Sequence, residues 1–192
     1  YGEADPALTY TNGNGVKEEV PSFTGELSRV EGEDVGDYAI QQNTVALADN
    51  EESGFKAGNY VIAYTPNNLT ISANGTLTVA GTGYDGTYDG ESHGEAADTN
   101  VTKGTTISYS TDGGKNWSTD VPKVTDVSEI TVNVKAENPN YVTATGSYTL
   151  KVNPATITVT AEAKTKTYGE ADPALTYTNG NGVKEEVPSF TG

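Results

Sequence analysis

The chain contains no cysteine and no methionine. A disulfide framework and thiol chemistry are therefore excluded, and the usual oxidation targets are missing. Basic residues are scarce: 11 Lys and Arg stand against 27 Asp and Glu, for a net charge of −16. Binding a phosphate backbone needs clustered cations, so no nucleic-acid partner is expected. No apolar run approaches the roughly 18 to 20 residues a membrane helix needs, and no membrane contact is expected. No signal peptide is visible, as would hold for a stretch from the interior of a repeat array. Large aliphatics are sparse too, with Leu, Ile, Val and Phe making up 34 of 192 residues. Together with the charge, that composition by itself leans toward disorder.

Pattern outweighs composition. The segments ATITVTA (155–161), NYVIAYT (59–65), EITVNVKA (129–136) and GSYTLKV (146–152) alternate with period two and are rich in Val, Ile, Tyr and Thr. Such alternation predicts half-buried strands. Twelve Tyr and one Trp supply further apolar surface while keeping a polar tip, and 22 Gly with 8 Pro punctuate the chain every few residues. No 3.6-residue period is sustained. The expected class is all-β.

The first 25 residues, YGEADPALTYTNGNGVKEEVPSFTG, recur without change at 168–192, an offset of 167 positions. A shared fold does not require such identity, whereas recent duplication does. A period of this length holds self-contained domains rather than a solenoid unit, so a tandem array of beads is expected. Three segments follow: 1–73 as a module lacking its first strand, 74–153 as a second module, and 154–192 as the start of the next copy of the first. Both modules close on an Asn-Tyr pair followed by a Leu-x-Ile/Val strand, Leu69 with Ile71 and Leu150 with Val152. Two related sandwiches are expected, and the short connections SANG (72–75) and NPAT (153–156) imply an elongated, stiff arrangement.

These residues carry a resemblance. KTKTYGEADPALTYT (164–178), with FTGELSRVEGEDVGDYAI (23–40) and NYVIAYTPNNLTI (59–71), resembles the YGX-type MBG repeats of large bacterial surface proteins. YDGTYDGESHG (84–94), ISYSTDGGKNWS (107–118) and VNVKAENPNYVTATGSYTLKVNP (132–154) are similar to the YDG-like, Ig-like partner that alternates with it in Gram-positive adhesins. The resemblance implies a secreted, extracellular repeat at the bacterial cell surface or cell wall. It implies Ig-like β-sandwich or β-grasp-like modules, and it carries no catalytic residue. On this reading the repeat is a structural spacer that projects a distant binding region. The alternative is that the repeat itself binds host glycan or protein through exposed Tyr, Trp117 and Asn/Asp loops.

In YGEADP, Gly2 and Asp5-Pro6 suit a strand-ending turn, with a carboxylate site at Glu3 and Asp5 as the sharper alternative. The Asp-x-Gly-x-Tyr spacing of EDVGDYAI (33–40) predicts that Tyr38 bonds back to the preceding loop as a tyrosine corner, while Ile130 holds the equivalent place in the second module. STDGGKNW (110–117) matches the Asp box of sialidases apart from Asn116. The expectation is a structural hairpin, since a propeller needs several blades. His93, flanked by Glu91 and Glu95, is the only histidine and is expected on a surface turn rather than at a metal, because zinc needs three or four ligands. Calcium would suit the many carboxylates, but neither YDGTYDGES nor ADNEES has the spacing of a dedicated loop, so no cofactor is assigned and calcium stays open. With no oriented base for a nucleophile, no enzyme is expected.

The last expectation concerns assembly. Residues 1–73 lack the strand PATITVTAEAKTKT that precedes Tyr168. An incomplete sandwich invites completion by another chain, so Ala155–Ala161 should be extended, largely unpaired within one molecule, and added head-to-tail to residues 26–73 of a neighbouring repeat.

Overall fold

The computed structural model describes residues 1–191, and the described chain is all-β with only single 3₁₀ turns of helix. It divides into two compact units, Tyr1–Thr76 with Asn138–Val142, and Leu77–Glu137 with the chain from Thr143 onward.

The first unit contains β1 (Ser22–Thr24), β2 (Ser28–Arg29), β3 (Gly36–Gln41), β4 (Ala46–Ala48) and β5 (Asn68–Ile71). β1 pairs antiparallel with β4, and β3 lies between β2 and β5. The strands are short and the fully buried apolar residues few: Val45 and Phe55, the latter stacked on Tyr60 at 4.7 Å. Asn138–Val142 belongs here through its contacts. Asn140 accepts from the Val35 amide at 2.9 Å and donates to Asp34 at 2.7 Å, and Tyr141 meets Tyr1 edge to face at 5.4 Å.

The second unit contains β6 (Val79–Ala80), β7 (Tyr84–Thr87), β8 (Asp98–Thr99), β9 (Thr106–Ser110), β10 (Ser128–Glu137), β11 (Ala144–Asn153), β12 (Val159–Ala161) and β13 (Tyr177–Asn179). Its main sheet runs β7-β11-β10-β9, with the β7 edge parallel and the other pairings antiparallel; β6–β8 and β12–β13 are separate two-stranded ribbons. The predicted alternation is realised in β10 and β11, where Val132, Val134, Ala136, Tyr148, Leu150 and Val152 all point inward. All of these but Ala136 pack with Ala97, Tyr109 and Val124 into one core. Burying each of the larger aliphatics is worth about 1.5–3 kcal/mol relative to exposure, so this sheet carries most of the stability of its unit. Ile130 faces Leu150 across the ladder and packs on that core, which gives the position a purely apolar role.

Two expected strands come out differently. NYVIAYT is not a strand: residues 60–64 alternate between half-buried and exposed, yet Val61–Thr65 enter no ladder. The side-chain pattern of a strand is present without a partner on which to form one. ATITVTA is a strand only over Val159–Ala161, and those residues are paired, against Tyr177–Asn179, rather than left unpaired. The reason is local. The hairpin closes on the chain's own second copy of YGEADPALTYTN, the nearest available edge.

Candidate functional site

The main concavity of the first unit is a groove of about 780 Å³. It is lined by Thr9–Gly15, by Tyr60–Asn67 and by apolar side chains, Phe23 and Leu47 from β1 and β4 with Ile40, Val45 and Phe55. Tyr10 stands edge-on to Phe23 at 5.3 Å. Tyr60 donates its hydroxyl to Glu19 at 2.8 Å and accepts from the Val16 amide at 2.9 Å; the bond to Glu19 raises its pKa above the usual phenol range. Tyr64 donates to the Ile40 carbonyl at 2.9 Å. Tyr60 and Tyr64 are thus held by their hydroxyls, and the Tyr60 ring face packs on Phe55.

Within β3, Tyr38 donates to the Asp34 carbonyl at 2.8 Å, the corner contact expected from the spacing. Gly32 makes the close approach possible. Its φ is +147°, and a Cβ there would lie 2.1 Å from the Tyr38 ring. Above the same ring, at 5.1 Å, sits Arg29, the only arginine of the chain. Arg29 contacts Asp5 at 2.5 and 3.1 Å, Glu33 at 2.7 Å and the Gly32 carbonyl at 2.5 Å. Hydrogen bonds to Asp5, then to Glu33, raise its pKa further still. Asp5 is thus one arm of a guanidinium clamp, and Gly2 takes the positive φ of a turn, while Glu3 is exposed. A lone arginine in so acidic a chain was the signal for this cluster, although its partner 24 residues away was not legible from spacing.

The Asp box forms the expected hairpin. Asp112 accepts from the Ser110 hydroxyl at 2.7 Å, from the Lys115 and Asn116 amides at 3.0 Å, and from the Asn116 side chain at 2.6 Å. The last contact explains why Asn can stand where the box usually has Thr. These donors, led by the Asn116 amide, hold Asp112 down at about 2. Trp117 donates to the Gly114 carbonyl at 3.0 Å and lies under Lys135 at 4.9 Å.

His93 departs from the expected surface turn. Its ring stacks on Tyr84 at 3.9 Å, Nε2 lies 2.9 Å from Asp89 and 3.1 Å from the Tyr84 hydroxyl, and its backbone bridges Val124. The hydrogen bond from His93, then one from the Glu91 amide, lowers the Asp89 pKa. Glu91 pairs with Lys184 at 2.8 Å and not with the histidine. Among the described residues no group of three or more His, Cys, Asp or Glu converges as a metal cage.

The molecule is thus an all-β repeat protein whose polar clusters serve loops and whose groove has a mixed polar and apolar lining. The chain belongs to the MBG domain (YGX type) family, which matches residues 1–70 and 157–191, just over half of its length. No curated protein and no solved structure matches it.

Proposed function

We infer that this chain is a non-catalytic spacer repeat of a bacterial cell-surface adhesin, extracellular and attached at the cell wall, which projects a distant binding region. Its modules are read as Ig-like or β-grasp-like sandwiches of about 80 residues, within the usual span of small domains. The observation that carries the reading is the use made of the aromatic side chains. Tyr38, Tyr60, Tyr64 and Trp117 each spend their polar atom on the chain's own backbone or side chains, and Tyr109 and Tyr148 are in the core. A glycan-stacking surface needs free ring faces, and here Tyr38, Tyr60, Tyr84 and Trp117 each have a face against Arg29, Phe55, His93 and Lys135.

The second reading, a repeat that itself binds host glycan or protein, is favoured by the groove, where Tyr10, Phe23 and Tyr60 line one concavity. A glycan array and a panel of host matrix proteins probed with the chain separate the two. The spacer reading expects no saturable binding at micromolar concentration. Saturable binding lost on Tyr10→Ala would replace it with the second.

A further inference from the structure

β7 and β11 are the first and the last strands of the main sheet in chain order, yet they lie side by side. Their ladder is parallel, from Tyr84 opposite Leu150 to Thr87 opposite Asn153. It runs one bond further, from the Tyr88 amide to the Asn153 carbonyl at 2.8 Å. The chain therefore enters this ladder at one end, Tyr84, and leaves it at the other, Asn153.

That placement decides how tension acts. A pull on the chain before Tyr84 and after Asn153 slides two parallel strands lengthwise past each other, so all the evenly spaced rungs are strained together. The pair β10–β11 is the opposite case. The chain enters β10 at Ser128, directly across from Val152 near the exit of β11, so the same pull would open that antiparallel ladder one rung at a time from one end. β7 precedes β10 in the chain, and the β7–β11 ladder takes the load first. Ahead of it, β6 pairs over two residues, Val79 with Thr99 and Ala80 with Asp98. Forced unfolding is set by the height of the unfolding barrier rather than by total stability. We propose that the β7–β11 pair is a shear clamp, which lets the second unit bear tension along the chain without unfolding.

Side chains reinforce the ladder where the load leaves it. The Asn153 amide group donates to Asp85 at 2.6 Å and to the Gly86 carbonyl at 3.2 Å, two cross-links from β11 to β7 beyond the backbone rungs. Sliding also meets packed side chains. Leu150 and Val152 are buried, and Tyr84 and Tyr88 pack against the core they belong to, so β7 cannot shift without drawing two rings across a close-packed surface. The Tyr84 ring is stacked on His93 at 3.9 Å as well, which ties β7 to the loop that follows it. The clamp goes beyond the spacer reading and is independent of it, because its test reads force and the test of that reading reads binding.

Single-molecule pulling on the full chain tests it. With no native cysteine, Gly75→Cys and Thr156→Cys place two unique thiols for handles at exposed positions on either side of the clamp. Ser92→Cys with Thr156→Cys instead puts both handles past the same end of the β7–β11 ladder, where the pull unzips it. At equal force the first geometry should unfold roughly tenfold or more slowly than the second. Equal or faster unfolding in the first geometry overturns the proposal. Asn153→Ala should speed unfolding in the first geometry by roughly tenfold, since both of its cross-links are lost before the barrier is crossed. Asp112→Ala loosens the hairpin beside β9, at the other edge of the sheet, and should lower the melting temperature without that acceleration. No acceleration by Asn153→Ala, or equal acceleration by the two variants, also overturns it.

Discussion

Arg29 reaches back 24 residues to grip Asp5 through Nε and Nη2, at 2.5 and 3.1 Å, while its guanidinium covers the Tyr38 ring. The same aspartate in the second copy, Asp172, pairs instead with Lys166 at 2.5 Å. One sequence thus finds two partners, and context decides which. Only the first is a planar fork on a carboxylate that is also stacked on a ring, the arrangement Lys cannot reproduce. Arg29→Lys and Arg29→Ala should both lower the melting temperature measurably. Lys56→Ala, which removes a half-exposed pair with Asp49 at 3.2 Å, should change it little. Parallel thermal scans of the three variants check the ranking.

Tyr38→Phe removes one hydrogen bond to the Asp34 carbonyl and should cost about 1 kcal/mol. Gly32→Ala should cost more, because its positive φ is unfavourable for alanine and the added Cβ meets the Tyr38 ring. Combining the two changes should cost less than their sum, since both act on one contact; denaturant titration of the double-mutant cycle reads the difference.

Asp112 sets an acid limit for the hairpin it ties. Its pKa lies near 2 in the folded chain against an ordinary value of 3.8. The charged form is therefore the one the fold favours: its stabilisation is complete above about 3.8 and is lost as pH falls toward about 2. Trp117 fluorescence should change across that window. Asp112→Asn should abolish the step and leave the hairpin less stable at neutral pH.

Legibility in the sequence followed the range of the interaction. β10 and β11 were visible because both faces of a long ladder print an alternation, and the Asp box and the Tyr38 corner were visible because their contacts close within four residues. NYVIAYT shows the limit: its alternation correctly marks which side chains turn inward, but a ladder also requires a neighbour, and alternation is silent about that. Asp5 shows the same limit, its partner Arg29 lying beyond any local turn. His93 looked exposed in a glycine-rich turn, and its burial comes from the Tyr84 ring and a backbone bridge to Val124, thirty-one positions on.

In the core of the second unit the Tyr148 hydroxyl is buried and has no hydrogen-bond partner among the described residues, and burial raises its pKa. Tyr148→Phe removes an unsatisfied polar atom while keeping the ring, so stability should hold or rise by roughly 1 kcal/mol. Gly81→Ala should fall by about 1–3 kcal/mol, because the new Cβ would meet that same ring and the core cannot give way. Equilibrium unfolding in urea distinguishes these opposite signs.

The claim on which the account rests is that the aromatic side chains serve the chain's own fold, the rings of Tyr38, Tyr60 and Trp117 lying against Arg29, Phe55 and Lys135. Titration of the chain with host glycans and matrix proteins, read by its own Tyr and Trp fluorescence, is the most direct measurement. The expected result is no saturable change at micromolar concentration. A saturable change that Tyr10→Ala abolishes would contradict it.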